Sequence, residues 1–315
     1  MTNSKKVIVL GGGLTGLAAA WKLAKSGTNV TVVEIRDSVG GLASTFSWRG
    51  FELDIGPHTL YSQSEDIRNF VISILGRELD RHWKKAGLWF RGRWIEFPLS
   101  IRDAFINFSW LFSEHIRHPR SMLDYLRRRP EVTYRDYVLN RFGFYLYEEL
   151  FRPQATKLWG PPEELSVELG HVRMPFPNIY SAAFGTIWKK LGRVSSAEKF
   201  FYPKKGIGEL SDRLAHDIVA FGGKLELGRA PHEINLSNNR VTISLRDEKL
   251  KADVLISTIA PDSFFRILQP EAPPEIVAAA ERLKFRSLIM CYLAISRPKV
   301  TTDHWINFPE AKYSF

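Results

Sequence analysis

Cysteine is almost absent from this chain of 315 residues, which contains Cys291 and no other cysteine. A single cysteine excludes an internal disulfide, and the apolar neighbours of Cys291 in SLIMCYLAIS predict a buried strand rather than a reactive thiol. Because proteins of oxidising compartments commonly carry paired cysteines, this composition is typical of a reducing compartment. We therefore expect a cytoplasmic protein.

Several other features are missing as well. No run approaches the ~18 consecutive apolar residues of a membrane-spanning helix, so we expect any membrane contact to be peripheral. No spaced Cys/His cluster predicts a metal site, and no G-x-S-x-G motif predicts a serine nucleophile. The net charge is +10, but the cations are not organised around one recognition element, which argues against nucleic acid as a partner.

An aromatic and cationic stretch over residues 101–129 leaves two interpretations open. Its sequence, IRDAFINFSWLFSEHIRHPRSMLDYLRRR, could form a basic amphipathic helix that touches a membrane surface. More commonly, such a stretch is a helix that packs by its apolar stripe and turns its charged face to solvent. A peripheral membrane contact stays the less favoured alternative.

Changes in composition and hydrophobic periodicity along the chain predict two packed units. With 44% hydrophobic and 25% charged residues, the composition is that of a globular protein. A β-α-β unit is predicted near the start from an apolar run, a glycine turn, a helix and the strand NVTVVE. The region that follows is rich in helix-forming, aromatic and basic residues. We predict an α/β fold with a discontinuous nucleotide-binding domain (residues 1–63 and 200–265) and an inserted, mainly helical substrate domain (64–199). The second domain would also carry an antiparallel sheet, which begins within residues 266–315 at SLIMCYLAIS.

A glycine motif carries the chemistry of the first domain. Gly11, Gly13 and Gly16 satisfy G-x-G-x-x-G directly after a strand and at the start of a helix. The first glycine permits the tight turn, the second lets backbone approach a pyrophosphate, and the third lets helix and strand pack closely. Phosphates would meet the N–H groups of the first helical turn, which contains Leu14 and Thr15, at the positive end of the helix dipole.

Glu34 closes the second strand at the position where an acid accepts hydrogen bonds from ribose hydroxyls, roughly 20 residues past the glycines. We expect its carboxylate to point toward the glycine turn. A carboxylate there disfavours a 2′-phosphate. Strand, helix, strand and acid in this order predict a dinucleotide site rather than a glycine-rich turn without function.

The opening segment VIVLGGGLTGLAAAWKLAKSGTNVTVVEIRDSVGGLAST resembles that of the amine oxidase, protoporphyrinogen oxidase and phytoene desaturase group. These FAD enzymes have a glutathione-reductase-like, Rossmann-type FAD-binding domain, so the resemblance implies FAD as cofactor. In that group an arginine and a glycine pair after the ribose acid form a second wall around the phosphates. The resemblance therefore assigns these residues to the cofactor: Arg36, Gly40, Gly41, Leu42 and Ser44.

The next segment, FELDIGPHTLYS, resembles the part of these enzymes that runs beneath the flavin ring. It implies that Gly56 and Pro57 approach the ring and that His58 and Tyr61 lie near its reactive edge. His58 could instead be a structural hydrogen-bond donor.

Two later segments resemble the same group in the same order along the chain. YPKKGIGELSDRLA resembles the return from the substrate domain to the FAD domain. Residues 230–233, which include Pro231, are then expected near the adenine. Thr258, after the strand ADVLIS, is expected in a loop close to the cofactor.

One stretch of the inserted region, RPQATKLWGPPEELSVELGHVRMPF, resembles UDP-galactopyranose mutases. In the mutases a tryptophan and an arginine of this segment meet the uridine and its diphosphate, which would assign those roles to Trp159 and Arg173. Trp159 could equally be a core aromatic residue and Arg173 a surface cation. The mutases place a second histidine where this chain has Tyr61, so the resemblance is incomplete.

Taken together, the resemblances imply an FAD-dependent oxidoreductase that transfers a hydride from a small organic substrate to flavin. Four residues are candidates for facing flavin or substrate, and none is assigned as a base: His58, Tyr61, Trp159 and Arg173. A mutase-like isomerase and a binding protein without catalysis remain alternatives. Members of these families continue past HWINFPEAKYSF into a segment that completes the flavin site, which implies that this chain binds FAD weakly.

Overall fold

The computed structural model describes residues 5–97, 129–173, 199–237 and 240–314, together with positions 113 and 117. Most of the aromatic and cationic stretch 101–129 lies outside the described residues. No helix within the described residues combines the length and apolar character needed to cross a membrane.

The chain divides into two compact units. The first contains residues 1–82 and 200–294, and the second contains residues 83–199 and 295–315. The first unit extends past residue 63, where we predicted its first part to end, because the helix that follows packs Val71 and Leu75 into the core of this unit.

In the first unit, these elements precede the second unit in the chain: β1 (Lys6–Leu10), α1 (Leu14–Lys25), β2 (Asn29–Val33), β3 (Thr45–Trp48), β4 (Phe51–Asp54), α2 (Glu65–Leu75) and β5 (Leu79–Trp83). After the chain returns it forms β8 (Lys199–Pro203), α6 (Gly208–Ala220), β9 (Lys224–Glu226), β10 (Glu233–Ser237), β11 (Arg240–Ser244), β12 (Lys249–Ala252), β13 (Val254–Ser257), α7 (Pro261–Arg266), β14 (Leu268–Gln269) and α8 (Pro274–Glu281).

A parallel sheet in the order β13-β1-β2-β9 forms the centre of the first unit. The central strand β1 is apolar throughout VIVL because both of its faces are buried. Val7 and Val9 pack in a cluster with residues of α1, α2 and α6. Ile8 and Leu10 pack in a second cluster with residues of the sheet β12-β11-β10-β14.

The second unit combines a small sheet with a helical core. Its described elements are β6 (Ala86–Phe90), β7 (Arg93–Phe97), α3 (Tyr134–Leu146), a π-helical segment (Tyr147–Phe151), α4 (Arg152–Leu158), α5 (Val167–Arg173) and β15 (Trp305–Asn307). Helix α3 begins at a capping box of Thr133 and Asp136, an arrangement that satisfies otherwise unpaired N–H groups. Aromatic residues of α3 and the π-helical segment form its buried cluster.

The structure corrects the prediction for SLIMCYLAIS. Described residues 287–296 form no strand, and Cys291 is exposed. The Tyr292 hydroxyl instead donates to the Asp54 carbonyl, and its ring packs edge-on against Phe46. An apolar pattern indicates which faces a strand would bury, but a strand also needs a partner for its backbone hydrogen bonds, and the pattern does not supply one.

Two strands at the start of the inserted region were not predicted from the sequence. Strands β6 and β7 form an antiparallel hairpin, and β15 pairs parallel to β6. The two-residue loop has positive φ at both positions, 51° at Arg91 and 72° at Gly92, as a type I′ turn requires. Arginine is uncommon at positive φ, so the sequence RG did not signal this turn.

Candidate nucleotide-binding site

The glycine turn lies between the end of β1 and the start of α1, at the carboxyl edge of the parallel sheet. Gly11 has φ +100°, and a Cβ at Gly16 would lie 2.0 Å from the Gly11 carbonyl oxygen. Both positions therefore require glycine for the fold itself. At Gly13, by contrast, an added Cβ would meet nothing within 4 Å, so the space in front of this residue is open.

Helix α1 points its N-terminus at this open space. Gly13 is the N-cap without a side-chain hydrogen bond, and the first turn carries no acidic residue. Leu14 is half-buried and Thr15 is exposed at this end. The first N–H groups of a helix have no partner within it, so this end attracts anions.

Glu34 directly follows β2, the neighbour of the central strand. Its carboxylate is buried, and it accepts hydrogen bonds from the Gly12 N–H at 2.6 Å and the Arg36 N–H at 2.9 Å. The prediction that this carboxylate points toward the glycine turn is confirmed. Each carboxylate oxygen has a further lone pair, which leaves acceptor capacity for a ribose hydroxyl.

A second glycine segment lies beside the turn. The Gly40 N–H donates to the Gly12 carbonyl at 2.8 Å. Gly41 has φ +59°, and its added Cβ would lie 3.3 Å from the Gly13 Cα. The Arg36 guanidinium reaches the Gly41 carbonyl at 3.4 Å, so exposed Arg36 lies beside this second glycine segment.

The other two residues predicted for this wall have different surroundings. The Ser44 hydroxyl donates to the Gly41 carbonyl at 2.9 Å, which fixes the turn of this segment. The side chain of Leu42 is 72% exposed and contributes its backbone carbonyl to a hydrogen bond with His58.

A cavity of about 340 Å³ opens at the ends of β1 and β2. Its lining is mostly apolar, with three polar side chains; the lining residues are Leu10, Gly11, Val33, Glu34, Ile35, Ala230, Pro231, Ile259, Ala260, Ser263, Arg266 and Ile267. The segment that contains Pro231, predicted near the adenine, is part of this wall. Thr258 is not; its hydroxyl donates to the Leu10 carbonyl at 2.8 Å and supports the glycine turn.

His58 joins two backbone segments. Its Nε2 lies 2.9 Å from the Leu42 carbonyl and 2.9 Å from the Ile55 carbonyl. Because both partners are acceptors, Nε2 carries the proton, which is the structural-donor interpretation of this residue. Gly56 is buried beside the His58 imidazole, whereas Pro57 and Tyr61 are exposed.

Sequence reasoning missed Asp54, the centre of a polar network. Its Oδ1 accepts from the Thr45 hydroxyl at 2.6 Å and the Ile207 N–H at 3.0 Å, and its Oδ2 accepts from the Tyr202 hydroxyl. Burial, together with this hydrogen bond and the charge of Asp54, raises the pKa of Tyr202 above its ordinary value of 10.0. The network ties β4 to the segment that leads into α6. In the sequence, the one hint of this network is the aspartate within the apolar segment FELDIG.

Trp159 and Arg173 belong to the second unit. Trp159 follows α4, where it packs against the buried aromatic cluster and contacts Tyr134 edge-on at 6.0 Å between ring centroids. Arg173 ends α5 and is exposed. Across the described ranges, no group of three or more His, Cys, Asp or Glu side chains is arranged to hold a metal ion.

The βαβ unit, the glycine turn and the acid at the next strand define a nucleotide-binding α/β protein. A family model for flavin-containing amine oxidoreductases matches residues 14–314. The chain belongs to this family, whose flavin cofactor is FAD.

Individual relatives are distant. The chain is 23% identical to a lycopene-forming phytoene desaturase of Pseudescherichia vulneris, over 95% of this chain and 65% of the relative. It is 24% identical to a 4,4'-diaponeurosporene oxygenase of Staphylococcus aureus, over 81% of this chain and 56% of the relative. A reduced UDP-galactopyranose mutase has a similar fold, with a TM-score of 0.73, 21% identity and coverage of 90% of this chain and 62% of the mutase. The chain thus spans less than two thirds of the length of each.

The geometry of the first unit fits FAD. The space in front of Gly13 is open where a pyrophosphate would approach, and the glycines on either side exclude side chains from it. The cavity beside Glu34 provides a mostly apolar wall for an adenosine. The residues that would hold the ADP half are therefore those of the glycine turn, together with Glu34, Arg36 and Gly41.

Proposed function

We propose that this chain carries the FAD-binding part of an oxidoreductase that transfers a hydride from an organic substrate to flavin. The first unit would be a glutathione-reductase-like FAD domain, and the second unit would contribute to substrate binding. The observation that carries the proposal is the open space in front of Gly13, between the N-terminus of α1 and Gly41 and next to the cavity at Glu34.

The chain's own residues would act by binding and orientation. The N–H groups at the start of α1 would receive the pyrophosphate, and Arg36 would neutralise charge from the opposite side. Glu34 would accept a ribose hydroxyl. The hydrogen bonds of His58 and the Asp54 network would hold the segment around Gly56 in place for the flavin. The flavin supplies the hydride-accepting chemistry.

For the substrate, we propose a donor that is oxidised at a C–H bond. The names of the two curated relatives, a desaturase and an oxygenase, support a carbon donor over an amine. In such a reaction the protein would mainly hold the reacting carbon against the flavin ring and exclude water.

Anaerobic reduction of bound flavin tests this function. The protein is loaded with FAD, mixed with a polyene hydrocarbon or with a primary amine, and followed by visible absorbance. We expect bleaching with the hydrocarbon and recovery of the absorbance when oxygen or a quinone is admitted. A Gly13→Val variant, which should not retain FAD, provides the control. Bleaching by the amine alone would contradict the proposed substrate class, and no bleaching by either donor would contradict oxidoreductase activity toward these classes.

The alternative is a flavin-dependent isomerase of a nucleotide sugar, supported by the fold shared with the mutase. It is weaker because Trp159, the residue that would stack on uridine, packs against the aromatic cluster of the second unit. Conversion of UDP-galactopyranose without net change of the flavin's redox state would favour this alternative.

A further inference from the structure

We propose that Arg266 selects the adenine base by stacking its guanidinium on the purine ring at the mouth of the cavity. This inference rests on the proposed function, since it assumes that the cavity beside Glu34 receives the adenosine of the cofactor. It adds a residue for base selectivity that the glycine motif does not contain.

The composition of the cavity wall leaves few groups that could recognise a base. Its polar side chains are Glu34, Ser263 and Arg266. Glu34 already holds the Gly12 and Arg36 N–H groups and faces the glycine turn, so it serves the ribose end. The two other polar side chains, Ser263 and Arg266, both belong to α7. Together with Ile259 they form the part of the cavity wall that comes from the chain segment after β13.

In the described part of the chain, the Arg266 guanidinium has an ion pair with Asp262 and keeps N–H groups available for a ligand. Arg266 ends α7, its side chain is 75% exposed, and Asp262 one turn earlier lies 3.9 Å from its Nη2. That distance provides charge attraction without a close hydrogen bond. The other oxygen of Asp262 is buried and has no hydrogen-bond partner among the described residues, so the 3.9 Å ion pair is the contact shown between this carboxylate and the guanidinium.

A second arginine adjoins the cavity in sequence but is committed elsewhere. Arg229 precedes Ala230 of the wall, and its guanidinium forms ion pairs with Glu226 at 3.4 Å, Asp247 at 3.1 Å and Glu248. These three carboxylates neutralise it. Arg266 is therefore the cation of the cavity wall that remains able to cover a ligand.

The chemistry of arginine predicts how this contact should behave. A guanidinium is planar and stacks on aromatic faces, whereas the lysine ammonium is a compact point charge. Stacking increases with ring area, so Arg266 should favour a purine over a pyrimidine on the same diphosphate. A purely electrostatic role would instead strengthen both nucleotides equally, and lysine would replace it.

Calorimetric titration of the whole chain with ADP and with CDP separates these cases. We expect Arg266→Ala to weaken ADP about fivefold and CDP less than about twofold, and Arg266→Lys to behave like the alanine variant. Arg213→Ala, which removes an exposed arginine of α6 outside the cavity wall, should leave both affinities unchanged. Thermal unfolding of each variant verifies that the fold is intact.

Three results would overturn the inference. An unchanged ADP affinity in the alanine variant, or equal losses for ADP and CDP, would show that Arg266 does not select the base. Full rescue by lysine would assign it a charge role only. If the wild-type chain binds neither nucleotide, the nucleotide site itself is wrong, and the proposed function fails together with this inference.

Discussion

Gly13 separates the requirements of the fold from those of the ligand. Its backbone has φ −71° and ψ 171°, a conformation open to any residue, and its added Cβ meets no atom within 4 Å. We predict that Gly13→Val leaves the free energy of unfolding unchanged to within about 0.5 kcal/mol. ADP affinity should fall at least about tenfold, because the side chain occupies the path of the pyrophosphate.

Gly16→Ala is the matched control for that variant. Alanine normally favours a helix by about 0.5–1 kcal/mol over glycine, but here its Cβ would lie 2.0 Å from the Gly11 carbonyl oxygen. This variant should therefore lower the free energy of unfolding, whereas Gly13→Val should not. Chemical denaturation and calorimetry measure the two properties, and undiminished ADP affinity in Gly13→Val would locate the site elsewhere.

At the scale of elements, the Asp54 network joins the β3–β4 hairpin to the segment before α6. The Tyr202 hydroxyl donates to the Asp54 carboxylate, and the pKa of Tyr202 is raised above 10.0 through burial and then through this hydrogen bond and charge. Because the pKa of Tyr202 is higher in the folded state than in the unfolded state, its hydroxyl contributes its full stabilisation at any pH below the unfolded-state pKa. This stabilisation is lost as the pH rises through the folded value.

We therefore predict that Tyr202→Phe lowers the stability near neutral pH by about 1.5–3 kcal/mol, the range for hydrogen bonds to charged groups. The difference between wild type and variant should narrow only above pH ~10, where the unfolded tyrosine ionises. Urea denaturation at pH 7, 9 and 11 measures the difference. A difference that narrows below pH 9 would show that another group is responsible.

The predictability of each element depended on how local its signals were. The β-α-β unit, the glycine turn and Glu34 were predictable because spacing within about thirty residues determines them. The hairpin β6–β7 was not predicted because Arg91 takes a positive φ, which its residue type does not indicate. Asp54 escaped because its partners Tyr202 and Ile207 lie 148 and 153 residues away in the sequence. SLIMCYLAIS was misassigned because a run of apolar residues does not identify a pairing partner.

At the scale of the whole molecule, the two compact units should respond differently to nucleotide. A ligand at 100 times its Kd stabilises the unit that binds it by about 2.7 kcal/mol, and amide exchange slows where local opening is suppressed. We predict that ADP slows exchange in residues 11–16, 34–41 and 259–266 and leaves α3 and α4 unaffected. Hydrogen-exchange mass spectrometry measures this. Protection confined to α4 and α5 would instead indicate a nucleotide site near Trp159, as the isomerase alternative requires.

The position of β1 in its sheet also determines when the glycine turn is completed during synthesis. Strand β1 pairs on one side with β2 but on the other with β13, where Val7 lies opposite Val254. Thr258, which supports the turn, follows that strand. At roughly 5–20 residues per second, a ribosome needs about 12–50 s to add the residues that separate Val7 from Val254. Strand β1 can therefore pair early with β2 but must wait for β13. During that interval one edge of the apolar run VIVL is available to chaperones or to other chains.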